Sequence, residues 1–376
     1  MSGIPAGKKL QEFLDEETSL PELYGQALDL IQEHLPLRKG PEGSSLVSVY
    51  SEEIKSRGFT LHYYTSYTYS GTDAREGFTS MLRSLIASRV RVLLTTTATS
   101  ITVTEEGFSV RATSKTGTIV IRCNRVVVAV GRAGTEFLHS LDKCFSLGGE
   151  SNHFEIGVRL EWPTSLWPSL DKYHKDFKVL FNRARTFCVC KDGYLVPYRC
   201  SGNLLVGGYL SLDNPTGLTN LAILVRNPAL SGVRDHPTYV EAQARMSEVA
   251  QVVPLRQNLL QFIGKDQNAG DCGNPSTLNQ WKAANILAHY PKESGEELRC
   301  AVEQFFEHLF PRRKDKGAVA VYAPAFEYFW PRFPLMQHLN SRVPGLYLVG
   351  DASGNFRGIL QAFASGIYCA EHLTRL

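Results

Sequence analysis

The sequence predicts an α/β fold in which a parallel-sheet domain of the nucleotide-binding type is split by an inserted mixed α+β domain. Two strand–turn–helix units and the long aromatic stretch between them carry this expectation. In RVVVAVGRAGTEFLHSL (125–141), five apolar residues from Val126 to Val130 run into Gly131-x-x-Gly134. An unbroken apolar run suits a strand buried on both faces of a parallel sheet. The glycines allow a tight turn before a helix that opens near Thr135. The pattern recurs at 346–373, where LYLVGD reads as a buried strand and GILQAFASGIYCAEHL as an amphipathic helix. The stretch between, about 150–320, is rich in Tyr, Phe, Trp and Pro. A parallel sheet can accept a strand from far along the chain. Residues 1–149 and 321–376 are therefore expected to form one discontinuous domain, and 150–320 the inserted substrate domain.

Residues 8–35 are expected to be helical, with apolar spacing through Leu10, Phe13, Leu14, Leu20, Leu23, Leu28 and Ile31 and a Pro-Leu break after Leu35. TLHYYTSYTYS (60–70) has the Thr and aromatic content of strands. Thr72 and Asp73 are placed to cap a helix over 75–89. Strands are expected over 90–107 and 108–123, the second turning at 115–117. In the middle, YLVPYRC–SGN–LLVGGYL (194–210) reads as a β-hairpin, 237–253 and 295–310 as helices, and 266–277 as a loop. The sequence contains no internal repeat.

The chain has 376 residues, which suits two domains, and its 43% hydrophobic content suffices for a sizeable core. A net charge of +3, with no basic run longer than Arg312, Arg313 and Lys314, argues against a nucleic-acid partner. No stretch reaches the roughly 18 apolar residues that cross a membrane, and MSGIPAGKKLQEF lacks the apolar core of a leader. A soluble, cytoplasmic protein is expected, with no membrane partner. The eight cysteines are scattered as reduced thiols would be. Cys188 and Cys190 form the only close pair, and no second pair completes a tetrahedral zinc site, so no metal is expected.

The segment GLYLVGDASGNFRGILQAFASGIYCAEHL (345–373) carries the chemistry. Gly350 ends a strand and lets a ligand approach the backbone. Asp351 stands where open α/β sheets bind ligands and can accept hydrogen bonds from sugar or ribityl hydroxyls. Gly358, Ile359 and Leu360 open a helix whose N-terminal dipole favours partial negative charge, such as the pyrimidine edge of a reduced flavin ring.

These motifs resemble the uncharacterised FAD-dependent dehydrogenases, within the flavoproteins with two dinucleotide-binding domains. RVVVAVGRAG (125–134) resembles that superfamily's segment beside the cofactor, and 345–366 its closing Gly-Asp motif. LLTTTATSITV (93–103) resembles the element whose backbone meets the adenine, which would put Ala98 there. More specific matches are SGTDAREGFTSMLRSLI (70–86), FEIGVRLEWP (154–163), ARTFCVCKDGYLV (184–196) and TNLAILV (219–225). The resemblance spans roughly 50–376. It implies an FAD/NAD(P)-binding Rossmann-like domain with FAD as cofactor, and Gly131 and Arg132 near its pyrophosphate or ribose. One departure stands out: the superfamily's opening G-x-G-x-x-G, which holds the pyrophosphate at a helix N-terminus, is absent. Three accounts remain open: an N-terminal truncation, a cofactor held without that loop, or lost binding.

Arg159 with Glu161, and Arg185, are candidates to hold an acidic substrate group. They could equally pair with their own neighbours. Cys188 with Cys190 reads either as a redox pair beside a flavin or as small buried hydrophobes. His153, His174, His236, His289 and His338 have no partners in sequence that mark a base, so no catalytic acid or base is assigned. FEYFWPRF (326–333) is expected to pack the domain junction. The leading expectation is an FAD-dependent oxidoreductase that passes a hydride between an unidentified small substrate and the flavin in an interdomain cleft. The alternative is a cofactor-free remnant that acts as a binding or scaffolding protein.

Overall fold

A computed structural model describes residues 8–39, 52, 54–62, 67–88, 90–131, 134–151, 155–167, 177–200, 203–210, 213–226, 253–266, 273–310, 313–327 and 331–375. Residues 237–252 of the expected helix, half of the 266–277 loop and Arg132 lie outside them.

The expected helix over 8–35 is broken in two. Lys8–Phe13 is a 3-10 turn, and α1 begins afresh at Leu20–Gln32. Pro21 explains the restart, because its missing N–H costs nothing in a first turn. Strand β1 is Thr60–His62. Helix α2 spans Gly71–Ala87, four residues ahead of expectation, because Ser70 rather than Thr72 or Asp73 caps it: the Asp73 amide donates to Ser70 Oγ at 3.0 Å. Strands β2 (Thr96–Thr104), β3 (Gly107–Ser114) and β4 (Gly117–Cys123) form an antiparallel meander. Strand β5 (Val126–Val128) leads to α3 (Thr135–Phe145). The middle adds β6 (Glu155–Pro163), β7 (Lys178–Phe181), β8 (Ala184–Cys190), the hairpin β9 (Tyr194–Cys200) and β10 (Asn203–Tyr209), β11 (Leu218–Arg226) and β12 (Leu255–Asn258). β13 (Lys282–Ala283), α4 (Lys292–His308) and β14 (Ala320–Glu327) follow. The chain closes with β15 (Leu346–Leu348) and α5 (Ile359–Thr374).

The chain divides into two compact units: residues 1–39, 67–152 and 330–376, and residues 40–66 with 153–329. Two boundaries differ from expectation by more than three residues. Residues 40–66 join the second unit because β1 pairs with β7. Residues 321–329 join it because β14 pairs with β6 and β12.

In the first unit, β5 and β15 pair in parallel, Val126 opposite Leu346 and Val128 opposite Leu348. The run Val126 to Val130 is not buried on both faces as expected. Val127 is 43% and Val130 37% exposed, and among the described residues β5 has β15 as its only strand partner. On the buried side, Val128, Leu346 and Leu348 pack with Leu138 and Leu141 of α3. A second core joins Leu23, Ala27 and Ile31 of α1 to Leu360, Ala364 and Tyr368 of α5. Each such leucine or isoleucine contributes about 1.5–3 kcal/mol on burial.

In the second unit, a mixed eight-stranded sheet runs β13-β12-β14-β6-β11-β8-β7-β1, antiparallel except at β12–β13. Period-two alternation splits β6 between two faces. Ile156, Val158, Leu160 and Trp162 pack into the core with Leu298, Val302, Phe305 and Phe306 of α4. Glu155, Arg159 and Glu161 point the other way and are buried as well. No described helix is long and apolar enough to cross a membrane.

Candidate functional site

In the first unit, a cavity of about 480 Å³ opens where β5 and β15 end, a volume within the range of small-molecule sites. Its strand side is made by Ala129, Gly131, Val349, Gly350 and Asp351. Its helix side is a strip of small residues on α5, Ala362, Gly366 and Ala370, four apart and so on one face. Phe363, Ile367 and Leu30 complete the apolar lining.

Two glycines shape the rim. Gly131 has φ +61° and Gly350 φ +70°, left-handed conformations that an L side chain rarely takes. Gly350 is also pinned: its amide donates to Ser365 Oγ at 2.9 Å, and its carbonyl accepts from Ser353 Oγ at 2.9 Å. These bonds tie the turn to α5 and fix Asp351, half-buried in the 3-10 turn Gly350–Ser353, at the rim.

The sequence candidates therefore separate. Gly131, Gly350 and Asp351 meet at one cavity. Gly358, Ile359 and Leu360 open α5 but do not line it. Gly358 is the exposed N-cap at φ +104°, and Leu360 sits in the core. Ala98 lies on β2 opposite Ala112, at a bulge, and is not part of the lining. Leu30 and the small strip of α5 were missed. The Ala-x-x-x-Gly-x-x-x-Ala spacing was the available signal for α5, whereas nothing in the sequence marks Leu30.

Arg159, Arg185 and Cys188 belong to the second unit. Arg159 is buried, donating from Nε to Asn220 Oδ1 at 2.8 Å and from Nη2 to the Cys188 carbonyl at 2.6 Å. Arg185 donates to Glu155 at 2.8 and 2.5 Å and reaches Glu327 at 3.4 Å. Burial alone would weaken the Arg185 proton, but the two carboxylates more than reverse this and raise its pKa. Both guanidinium groups are thus turned on the protein's own acceptors. Glu161 accepts from Thr277 Oγ1 at 2.5 Å and Tyr322 OH at 3.3 Å, and burial holds its pKa above the usual carboxylate range despite those bonds. Among the described residues, no cluster of three or more His, Cys, Asp or Glu is placed to hold a metal.

No family model matches the chain, and no curated protein does. Among solved structures, it is similar at 10% identity to OxyS anhydrotetracycline hydroxylase from Streptomyces rimosus, over 94% of this chain and 52% of that one (TM-score 0.36). It is similar at 11% identity to aklavinone-11 hydroxylase, solved with FAD and aklavinone, over 86% and 43% (TM-score 0.31). It is also similar at 11% identity to pyridoxine 4-oxidase from Mesorbium loti, over 90% and 72% (TM-score 0.38). The chain spans about half the length of the first two. Likeness of this degree assigns no chemistry to the chain.

Proposed function

We propose that the chain is an FAD-dependent oxidoreductase of the dehydrogenase type, with the flavin held in the first unit. The cavity that joins Gly131, Gly350 and Asp351 to the small-residue strip of α5 carries this reading. Its residues fit part of the cofactor. The apolar lining and the closely approachable glycines suit a flat ring system, and the Asp351 carboxylate can accept hydrogen bonds from a hydroxylated chain. Among the described lining residues none is cationic, so the diphosphate falls to other groups. Arg132, next in the chain to the Gly131 rim, is the proposed one.

The bound flavin would supply the two-electron chemistry. The protein's share is to orient the cofactor through Asp351 and the Gly350 turn and to keep water from its apolar face through Phe363 and Ile367. A small molecule is the proposed reductant or hydride acceptor.

The test is reconstitution. The purified full chain is incubated with FAD, freed of excess by gel filtration and denatured. The expected result is a yellow protein that absorbs near about 450 nm and releases the flavin. A colourless protein after reconstitution overturns the reading and leaves a cofactor-free binding protein.

A further inference from the structure

Two thiols in the second unit share one irregular stretch of β8. The register of β8 against β11 shifts between Phe187 and Cys190. Within that bulge, Cys188 takes φ +45°, a left-handed conformation that costs a residue with a Cβ about 1–2 kcal/mol. The chain turns back there, so that Cys190 Sγ lies 3.6 Å from the Cys188 carbonyl oxygen.

One guanidinium reaches both residues: Arg159 Nη2 is 3.5 Å from Cys190 Sγ and donates to the Cys188 carbonyl at 2.6 Å. The surrounding backbone is cut to fit. A Cβ on Gly208 would come within 1.7 Å of Arg159 Nη2, and one on Gly193 within 2.8 Å of Cys190 Cβ. Cys190 is buried and Cys188 half-buried.

We propose that Cys188 and Cys190 form a redox-active dithiol that closes to an intrachain disulfide by exchange with a small disulfide such as oxidised glutathione. Positive charge beside sulfur favours the thiolate, which is the nucleophile. The more accessible Cys188 thiolate attacks one sulfur of the small disulfide. That S–S bond breaks, and the departing thiolate takes a proton from solvent. Cys190, its proton released to solvent, then attacks the Cys188 sulfur. The mixed S–S bond breaks, the Cys188–Cys190 bond forms, and a second small thiol leaves after taking up a proton. The dithiol has lost two electrons and the small disulfide has gained them.

The test uses the full chain, reduced, then incubated with oxidised glutathione, blocked with iodoacetamide and digested with trypsin. Cleavage after Arg185 and Lys191 releases residues 186–191 as one peptide holding both cysteines. The expected peptide is unalkylated and lighter by two hydrogens, while the exposed Cys144 and Cys300 carry glutathione or alkyl groups. Dithiothreitol before blocking restores two alkylated cysteines. In Cys190→Ser the exchange stalls, and Cys188 keeps a glutathione adduct. The proposal is overturned if the wild-type peptide carries two alkyl groups after Cys144 has exchanged, or if a glutathione adduct persists on it. The wild-type reading stands whether or not the variant folds.

Discussion

Replacing Asp351 with alanine removes the one carboxylate among the described residues that line the first unit's cavity. Hydrogen bonds to a charged group contribute about 1.5–3 kcal/mol, so the dissociation constant for FAD should rise about ten- to a hundredfold in a flavin-fluorescence titration. An unchanged constant would make the Gly-Asp turn merely structural. Glu161 gives a pH signature. Burial raises its pKa in the folded chain, so the carboxylate is penalised there. Stability is unaffected at low pH and falls as pH rises above the ordinary glutamate value of 4.5. Glu161→Gln should lose that slope, and denaturation midpoints for the two chains should drift apart as pH rises from 4.5. Parallel curves would refute it. The sequence poses two fates for Arg159 and Glu161, substrate or internal partners, and does not decide between them. The actual partners were not legible, since Asn220, Thr277 and Glu327 arrive from strands and loops far along the chain.

Among the elements, α4 carries its own pH dependence. Lys265 and then Lys316 donate to Glu307 and hold its carboxyl down at about 2. A lowered acid pKa stabilises the fold above the ordinary value of 4.5 and loses that contribution as pH falls toward 2. Glu307→Gln should flatten the acid limb of a stability curve between those values, and an unaltered limb would count against the pairing. Because the side chain is about one-third exposed, the effect is small. Elements with a clear period were legible: α5, the β9–β10 hairpin and α4 stand close to where residue spacing put them. β14 was not, because all eight of its residues are buried and no alternation marks it. The α2 start slipped because Ser70, Thr72 and Asp73 are all competent caps and only geometry chooses between them.

At the scale of the molecule, the mixed α/β class was readable from two strand–turn–helix units, but the partition into units depended on strand pairing. Residues 60–70 have strand-like composition in sequence, and 60–62 become the edge of the large sheet only through β7. The same partition makes ligand binding a stability measurement on one unit. FAD at a hundredfold excess over its dissociation constant should add about 2.7 kcal/mol to the folding of the first unit. Differential scanning calorimetry should show a transition moving upward with FAD concentration, and a thermogram insensitive to FAD would count against a site there.

Gly208 and Arg159 meet across the second unit with no room for a methyl group between them. Gly208→Ala should cost about 2–4 kcal/mol in chemical denaturation, since the guanidinium must abandon Asn220 and the Cys188 carbonyl. The contact also sets an inheritance rule. Across related chains the two positions are expected to change together, glycine persisting at one wherever arginine persists at the other. A lineage that shed the arginine would release its glycine to drift.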